Sequence, residues 1–170
     1  MKMLTWILPG ALAVLAGCNG SSEPSPTITT TIESEYLATS EAPGAMPVGK
    51  AREGATNDQK ITLIGRIGGS AEPFVSGLAA FTVVDPKVPC CSPEEGCPKP
   101  WDYCCAQDQV QENIATVKIV DEAGKTVEQD ARQLLGATEL STVVVEGTAR
   151  RDAEGNLTIA ARKVFVRPNE

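Results

Sequence analysis

Cysteines are the residues of this chain best suited to chemistry, and five of the six fall in one short stretch. They are Cys90, Cys91, Cys97, Cys104 and Cys105. A thiol can form a disulfide, ligate a metal or exchange electrons, depending on its neighbours and on its compartment. Four prolines and a glycine lie among residues 89–105. They oppose a regular helix or a central strand, so residues 86–110 are predicted to form a loop whose shape depends on its cysteines.

Disulfides are the first chemistry open to this loop. An exported protein meets an oxidising compartment, which favours them. A bond between adjacent cysteines closes a strained ring. Disulfides are therefore expected to join the doublet Cys90-Cys91 to the doublet Cys104-Cys105, and Cys97 would remain a free thiol.

A thiolate metal site is the second chemistry, with four of the five sulfurs around zinc, a cuprous ion or an iron–sulfur cluster. Five residues separate Cys91 from Cys97, and six separate Cys97 from Cys104. Ligands of an ordinary zinc ribbon usually stand two to four residues apart, so the spacing speaks against that motif. A reversible dithiol switch is the third chemistry, although the Cys-x-x-Cys motif is missing.

Trp101, Asp102 and Tyr103 lie inside the same loop and allow two interpretations. They could form an exposed tip that grips a ligand, with the aromatic rings supplying contact area and Asp102 an anchor. Alternatively, both rings fold under the loop and form a small second core. Only seven of the 170 residues are aromatic, which favours the second interpretation.

Residues 1–17 are typical of an export signal. Lys2 supplies the positive charge, and the apolar run that follows is too short to span a bilayer. The run closes on Leu15-Ala16-Gly17-Cys18, which resembles the lipobox of bacterial lipoproteins. The resemblance implies a lipid on Cys18, which would tether the mature chain to a membrane. Asn19 follows the cysteine, and this favours the outer membrane with the chain facing the periplasm. An ordinary secretory peptide is the alternative.

Residues 18–58 are predicted to be a lipidated N-terminus followed by a disordered stalk, because Ser, Thr, Pro, Gly and Glu dominate and few apolar residues repeat at a structural period. A strand at residues 27–32 is the alternative for part of it. Residues 59–168 are predicted to form the one globular domain.

Five strands and one helix are expected in that domain from its hydrophobic periodicity. The strands are predicted at 61–67, 78–84, 114–120, 141–149 and 157–166. The helix is predicted at 126–136, from a Thr-x-x-Gln capping box to Gly136. This order resembles the OB-fold, a five-stranded Greek-key barrel, here with the helix between strands 3 and 4 and the cysteine-rich loop between strands 2 and 3. A β-sandwich is the alternative architecture.

The phrase Pro100-Trp101-Asp102-Tyr103-Cys104-Cys105 on an OB-like domain is similar to a group of secreted planctomycete proteins. No particular activity follows from that resemblance.

Charge and composition exclude several functions. The chain lacks histidine, which rules out histidine-based triads and histidine-ligated metals, and its net charge of −7 argues against general polyanion binding. The carboxylates near the loop, Asp85, Glu94, Glu95 and Asp102, show no spacing suited to acid–base catalysis and are interpreted as solubilising side chains, so no enzyme is predicted.

Basic residues gather near the last predicted hairpin, and OB-domains that bind single-stranded nucleic acid use such a face together with stacking aromatics. They are Arg150, Arg151, Arg162, Lys163 and Arg167. Scarce aromatics and an exported location argue against nucleic acid as a partner, and a solvated face or a contact with phospholipid or wall polymer is expected instead.

The sequence thus predicts a non-catalytic binding module on an envelope lipoprotein, with an unidentified envelope protein or polymer as its partner. A metal-binding or thiol redox protein that uses the cysteines from Cys90 to Cys105 is the alternative.

Overall fold

The computed structural model describes residues 34–168, apart from the side chain of Pro93. The predicted signal peptide, Cys18, the first part of the predicted stalk and the alternative strand at 27–32 lie outside the described residues. Within these, the elements are β1 Met46–Pro47, α1 Val48–Gly54, β2 Lys60–Ile67, β3 Ala80–Val84, α2 Gln107–Glu112, β4 Ile114–Ile119, α3 Ala131–Leu135, β5 Thr142–Arg151 and β6 Leu157–Val166, with 3₁₀ turns at Pro93–Glu95 and Pro100–Asp102. Across residues 34–168, no helix is long and apolar enough to cross a membrane.

Five long strands form a closed barrel in the order β2-β3-β4-β6-β5, and β5 pairs back with β2. The β4–β6 pair is parallel, while the other pairs among these five strands are antiparallel. Helix α3 stands between the third and fourth of them, and the cysteine-rich loop stands between the second and third. The predicted OB-fold-like barrel is therefore confirmed, with its helix and its insertion in the expected places.

Alternating apolar residues explain why these segments form strands around one core. In β2, Ile61, Leu63 and Ile67 are buried between half-exposed neighbours, as a period of two requires. A bulge in β5 follows Glu146, where a Cβ on Gly147 would stand 2.5 Å from the carbonyl oxygen of Ala160. Only glycine fits such a close strand approach.

The ordered domain begins earlier than predicted, so the prediction of a disordered stalk is wrong for residues 34–58. Val48 and Ala51 of α1 are fully buried in the main core. Leu37 pairs with Val164 of β6. The side chain of Arg151 donates hydrogen bonds to backbone carbonyls of α1, which compensates the negative end of that helix. Contacts with strands far along the chain stabilise this segment, and local periodicity does not reveal them.

Helix α3 is shorter than the predicted helix. It begins after Asp130, whose carboxylate accepts a hydrogen bond from the backbone N–H of Arg132, and not at the proposed capping box. Thr126 instead pairs with Val120 in a short bridge. The predicted end is confirmed, because Gly136 adopts the left-handed conformation with φ of 64°.

Candidate metal centre

Four thiols of the loop converge on one point. Their sulfur atoms all lie within 4.8 Å of one another, and they belong to Cys91, Cys97, Cys104 and Cys105. The Sγ–Sγ distances are 3.4 Å for Cys91–Cys104, 3.3 Å for Cys97–Cys105 and 3.7 Å for Cys104–Cys105. A disulfide needs about 2.05 Å. A tetrahedral ion with metal–sulfur bonds of about 2.3 Å holds its sulfurs about 3.8 Å apart, which is close to the separations seen here.

Two 3₁₀ turns bring the distant cysteines together. The turn at Pro93–Glu95 folds the chain between Cys91 and Cys97, and the turn at Pro100–Asp102 folds it before Cys104. Each turn shortens a segment that looked too long for a metal site in the sequence. Local folding therefore brings together cysteines whose spacing along the sequence is longer than that of an ordinary zinc ribbon.

Asp102 orients Cys104. Its carboxylate accepts a hydrogen bond from the backbone N–H of Cys104 at 2.8 Å, and Tyr103 between them adopts the left-handed conformation with φ of 56°. This local turn aims the side chain of Cys104 towards Cys91. Asp102 thus has a structural role in the site, and contact with a ligand stays a prediction.

Contacts with the segment after β2 fasten the loop to the barrel. The backbone carbonyl of Trp101 accepts a hydrogen bond from the N–H of Gly69 at 2.8 Å, and the indole N–H donates to the carbonyl of Ala71 at 3.2 Å. Lys99 forms an ion pair with Glu72 at 2.6 Å. None of these contacts involves a cysteine, so the barrel positions the loop independently of its cross-links.

Tyr103 lies in a second, smaller core and does not form an exposed tip. Its ring is fully buried and packs with apolar residues of β3, α2 and the loop, namely Val84, Val88, Ala106 and Val110. Burial raises the pKa of the phenol, and the nearby Arg66 opposes this shift. For Tyr103 the prediction of an exposed ligand-gripping residue is wrong and the alternative of a second core is confirmed. Trp101 is half-buried.

The predicted division of the cysteines is wrong. Cys97 belongs to the group of four, whereas Cys90 lies outside it, against the second core. The doublet Cys90-Cys91 therefore splits, with one thiol facing the core and the other facing the cluster. None of the five cysteines of the loop is bonded as a disulfide.

The four thiols differ in burial and in acidity. Cys91 is 4 % exposed, while Cys104 and Cys105 are exposed. Burial raises the pKa of Cys91, but hydrogen bonds from the backbone N–H of Cys105 and from neighbouring thiols outweigh it and lower the pKa below its ordinary value. Hydrogen bonds with the other three thiols raise the pKa of Cys97.

At Cys105, the Cys97 thiol lowers the pKa, but Cys91, Cys104 and burial prevail and raise it to about 12. Because a coordinated thiol loses its proton, a bound cation would ionise all four.

Sequence reasoning missed Asp85, which was interpreted as a solubilising side chain. Asp85 is 2 % exposed, and its carboxylate accepts hydrogen bonds from the backbone N–H of Gly49 at 2.8 Å and of Lys87 at 3.0 Å. It joins the start of α1 to the start of the cysteine-rich loop. The sequence did offer one sign that Asp85 is buried. It directly follows the apolar run of β3, so its carboxylate lies at the edge of the core.

No family model, curated protein or solved structure matches this chain. The chain is a small β-barrel whose cysteine-rich loop brings four thiols together. Four sulfur donors suit one soft metal ion.

Proposed function

We propose that this chain is a metal-binding envelope lipoprotein, in which Cys91, Cys97, Cys104 and Cys105 hold one metal ion. The convergence of four sulfur atoms within 4.8 Å carries the proposal. Disulfides would leave two isolated pairs, whereas here Cys104 is near both Cys91 and Cys105. A shared centre explains that arrangement more simply.

Zinc is the metal that the donor set favours. Four thiolates in a tetrahedron are typical of zinc or iron centres, while carboxylate and water ligands suit harder cations. An iron–sulfur cluster places several irons between its thiolates, so it would need wider separations than those of Cys91, Cys97, Cys104 and Cys105. The four sulfurs stand where a single ion can reach each of them.

Location and partners follow from the sequence. A lipid on Cys18 would tether the chain to a membrane, with the outer membrane facing the periplasm as the favoured site. The metal would take the place of disulfides in stabilising the loop, and the barrel would act without catalysis. The loop and its surroundings would then present a rigid surface to an envelope protein or polymer.

A two-disulfide form is the second candidate, because the shortest Sγ–Sγ distances pair the four cysteines completely. Those pairs are Cys91–Cys104 at 3.4 Å and Cys97–Cys105 at 3.3 Å. When the metal-free protein is oxidised, we expect these two disulfides and a free Cys90. Peptide mapping by mass spectrometry checks the pairing, and a major Cys104–Cys105 or Cys90-containing disulfide would contradict it.

Elemental analysis combined with a thiol count under denaturing conditions tests the metal site. The exported chain is purified without air and without chelator, and one zinc per chain with five reactive thiols in the domain is expected. The Cys97→Ser variant should lose the metal, while the matched Cys90→Ser variant should keep it. A metal-free wild type with one reactive thiol would overturn the metal proposal in favour of the two-disulfide form.

Cobalt provides a second readout of the same site. Tetrahedral thiolate coordination gives Co²⁺ intense visible and near-ultraviolet absorption, which titrates to one equivalent if the four sulfurs act together. Mass spectrometry of the mature N-terminus tests the lipid separately, because an unmodified Cys18 would contradict the anchor without affecting the metal result.

A further inference from the structure

A row of four cross-strand neighbours runs over the outside of the barrel and has a lysine at each end. Lys118 of β4 pairs with Ala160 of β6, Ala160 pairs with Thr148 of β5, and Thr148 pairs with Lys60 of β2. Neighbouring strands lie about 4.8 Å apart, so the two lysines start about 14 Å apart on either side of a floor of small residues.

Two arginines flank this row. Arg150 stands two residues after Thr148 on β5, and Arg162 stands two residues after Ala160 on β6. Two adjoining grooves, of about 350 Å³ and about 490 Å³, follow the same surface and share Thr148 and Arg162. We name the surface formed by Lys60, Lys118, Arg150 and Arg162 around Ala160 and Thr148 the basic saddle.

The acidic groups at the saddle are few and partly engaged. Asp58 forms an ion pair with Arg150. Asp152 accepts hydrogen bonds from backbone N–H groups of its own hairpin. Glu146 is the other carboxylate among the lining residues. Cations thus outnumber carboxylates on this face, although the whole chain carries a net charge of −7.

Bases are poor ligands for this surface, because the lining of the two grooves, within residues 34–168, includes no aromatic side chain. Proteins that bind single-stranded nucleic acid combine a basic groove with aromatic stacking platforms. The saddle offers charge and small polar groups only. An extended array of anionic groups is therefore the ligand that fits it.

The described chain enters the domain beside the saddle. The carbonyl of Tyr36 accepts a hydrogen bond from the N–H of Val164, and Lys163 donates to the carbonyl of Glu35 at 2.5 Å, so the entry lies along β6 next to Arg162. Fifteen residues separate Cys18 from Ser34. They can span at most about 55 Å, so a lipid on Cys18 would hold the saddle close to a membrane.

We propose that the basic saddle binds the headgroups of acidic phospholipids in the membrane that anchors the chain, an inference that rests on the proposed lipid on Cys18. A basic patch can add electrostatic attraction to anionic lipids beside a lipid anchor. Three carboxylates near the entry oppose the attraction, those of Glu35, Asp121 and Glu122. They favour a weak contact that the tether assists, since tethering raises the effective concentration of the ligand.

Vesicle sedimentation tests the saddle apart from the anchor. The mature chain from residue 18 onward, carrying Cys18→Ser so that it cannot be lipidated, is mixed with vesicles of phosphatidylcholine alone or with three-tenths phosphatidylglycerol. Extra binding to the acidic vesicles is expected, and it should fall as salt rises. Lys118→Gln and Arg162→Gln should each reduce that extra binding about fivefold, the usual effect of one basic residue at a membrane surface.

Lys50→Gln is the matched control, because Lys50 is exposed on α1 and lies outside both grooves. It should change the extra binding less than twofold. Equal binding to both kinds of vesicle, or an equal loss with Lys50→Gln, would overturn the proposal. Binding of a single-stranded oligothymidylate in preference to acidic vesicles would also overturn it, in favour of nucleic acid. Metal content and the mass of the wild-type N-terminus report on the proposed function independently.

Discussion

Replacing Asp85 with alanine should detach the start of α1 from the barrel. The carboxylate is 2 % exposed and accepts the backbone N–H of Gly49 at 2.8 Å, which is one of the donors that a helix cannot satisfy within its own first turn. It also accepts the N–H of Lys87, at 3.0 Å. Lys87 is exposed, so water can replace the second bond but not the first.

The expected cost of Asp85→Ala is about 2–3 kcal/mol, because a hydrogen bond to a charged group contributes about 1.5–3 kcal/mol and a buried N–H is left without a partner. For a domain of this size that corresponds to a fall in Tm of about 5–10 °C. Urea unfolding measures the free energy, and hydrogen exchange measures the protection of the α1 amides. Asp85→Asn, which keeps an acceptor oxygen, should cost about half as much.

Asp108→Ala is the control for this prediction, since Asp108 is exposed and should change the free energy of unfolding by less than about 0.5 kcal/mol. If Asp85→Ala costs no more than Asp108→Ala and α1 keeps its protection, then the buried carboxylate does not hold the helix. The apolar contacts of α1 alone would then have to keep residues 34–58 ordered.

Three further substitutions probe the second core, an ion pair and the barrel wall. Tyr103→Phe should stabilise the domain by about 1 kcal/mol in urea unfolding, because the buried hydroxyl lies within hydrogen-bond distance of no partner among the described residues; a loss of stability would show instead that the nearby Arg66 donates to it. Burial raises the pKa of Glu139, but Arg132 outweighs it and lowers the pKa. The cost of Glu139→Gln, about 0.5 kcal/mol, should therefore be present at pH 7 and vanish as the pH falls from about 5 to below 4, and a pH-independent cost would refute it. Gly147→Ala should destabilise the barrel by at least about 2 kcal/mol, since its Cβ would meet the carbonyl of Ala160 at 2.5 Å, and an unchanged Tm would argue against that close approach.

The barrel was predictable because its signal is local. Alternation of apolar residues at Ile61, Leu63 and Ile67, together with a helix that ends at Gly136, reflects rules that act over a few residues. Once five strands and one helix are placed along the chain, the rules for connecting strands leave only a few possible strand orders. The same rules correctly placed the cysteine-rich loop outside the strands.

The predictions failed where distant contacts decide the structure. Helix α1 depends on Asp85 and on Arg151, which lie 36 and 100 residues from the helix positions that they bind, Gly49 and Ala51. Spacing along the sequence likewise could not show that Cys97 joins the cluster, because 3₁₀ turns shorten the intervening segments.

Contacts that do not involve sulfur hold the cysteine-rich loop against the barrel, and they determine how much of the fold would depend on the proposed metal. Trp101 and Lys99 bind the segment after β2, and Tyr103 fills the second core, all without help from sulfur. A Cβ on Gly68 would stand 2.6 Å from the carbonyl oxygen of Trp101 and 2.9 Å from the ring of Tyr103, so the loop backbone fits closely against the barrel. Small zinc domains that lack such anchors unfold without metal.

We therefore expect the metal-free, reduced protein to keep its barrel and the position of Tyr103. Removal of the metal should release mainly the segment around Cys97, because Ser92 and Glu95 in that segment hydrogen-bond to each other, whereas Cys104 lies beside the buried Tyr103. Hydrogen exchange with and without chelator checks this, using the β4 amides as an internal reference. Loss of β4 protection together with the loop would contradict the preformed site, because it would mean that the ion organises the barrel as well as its own ligands.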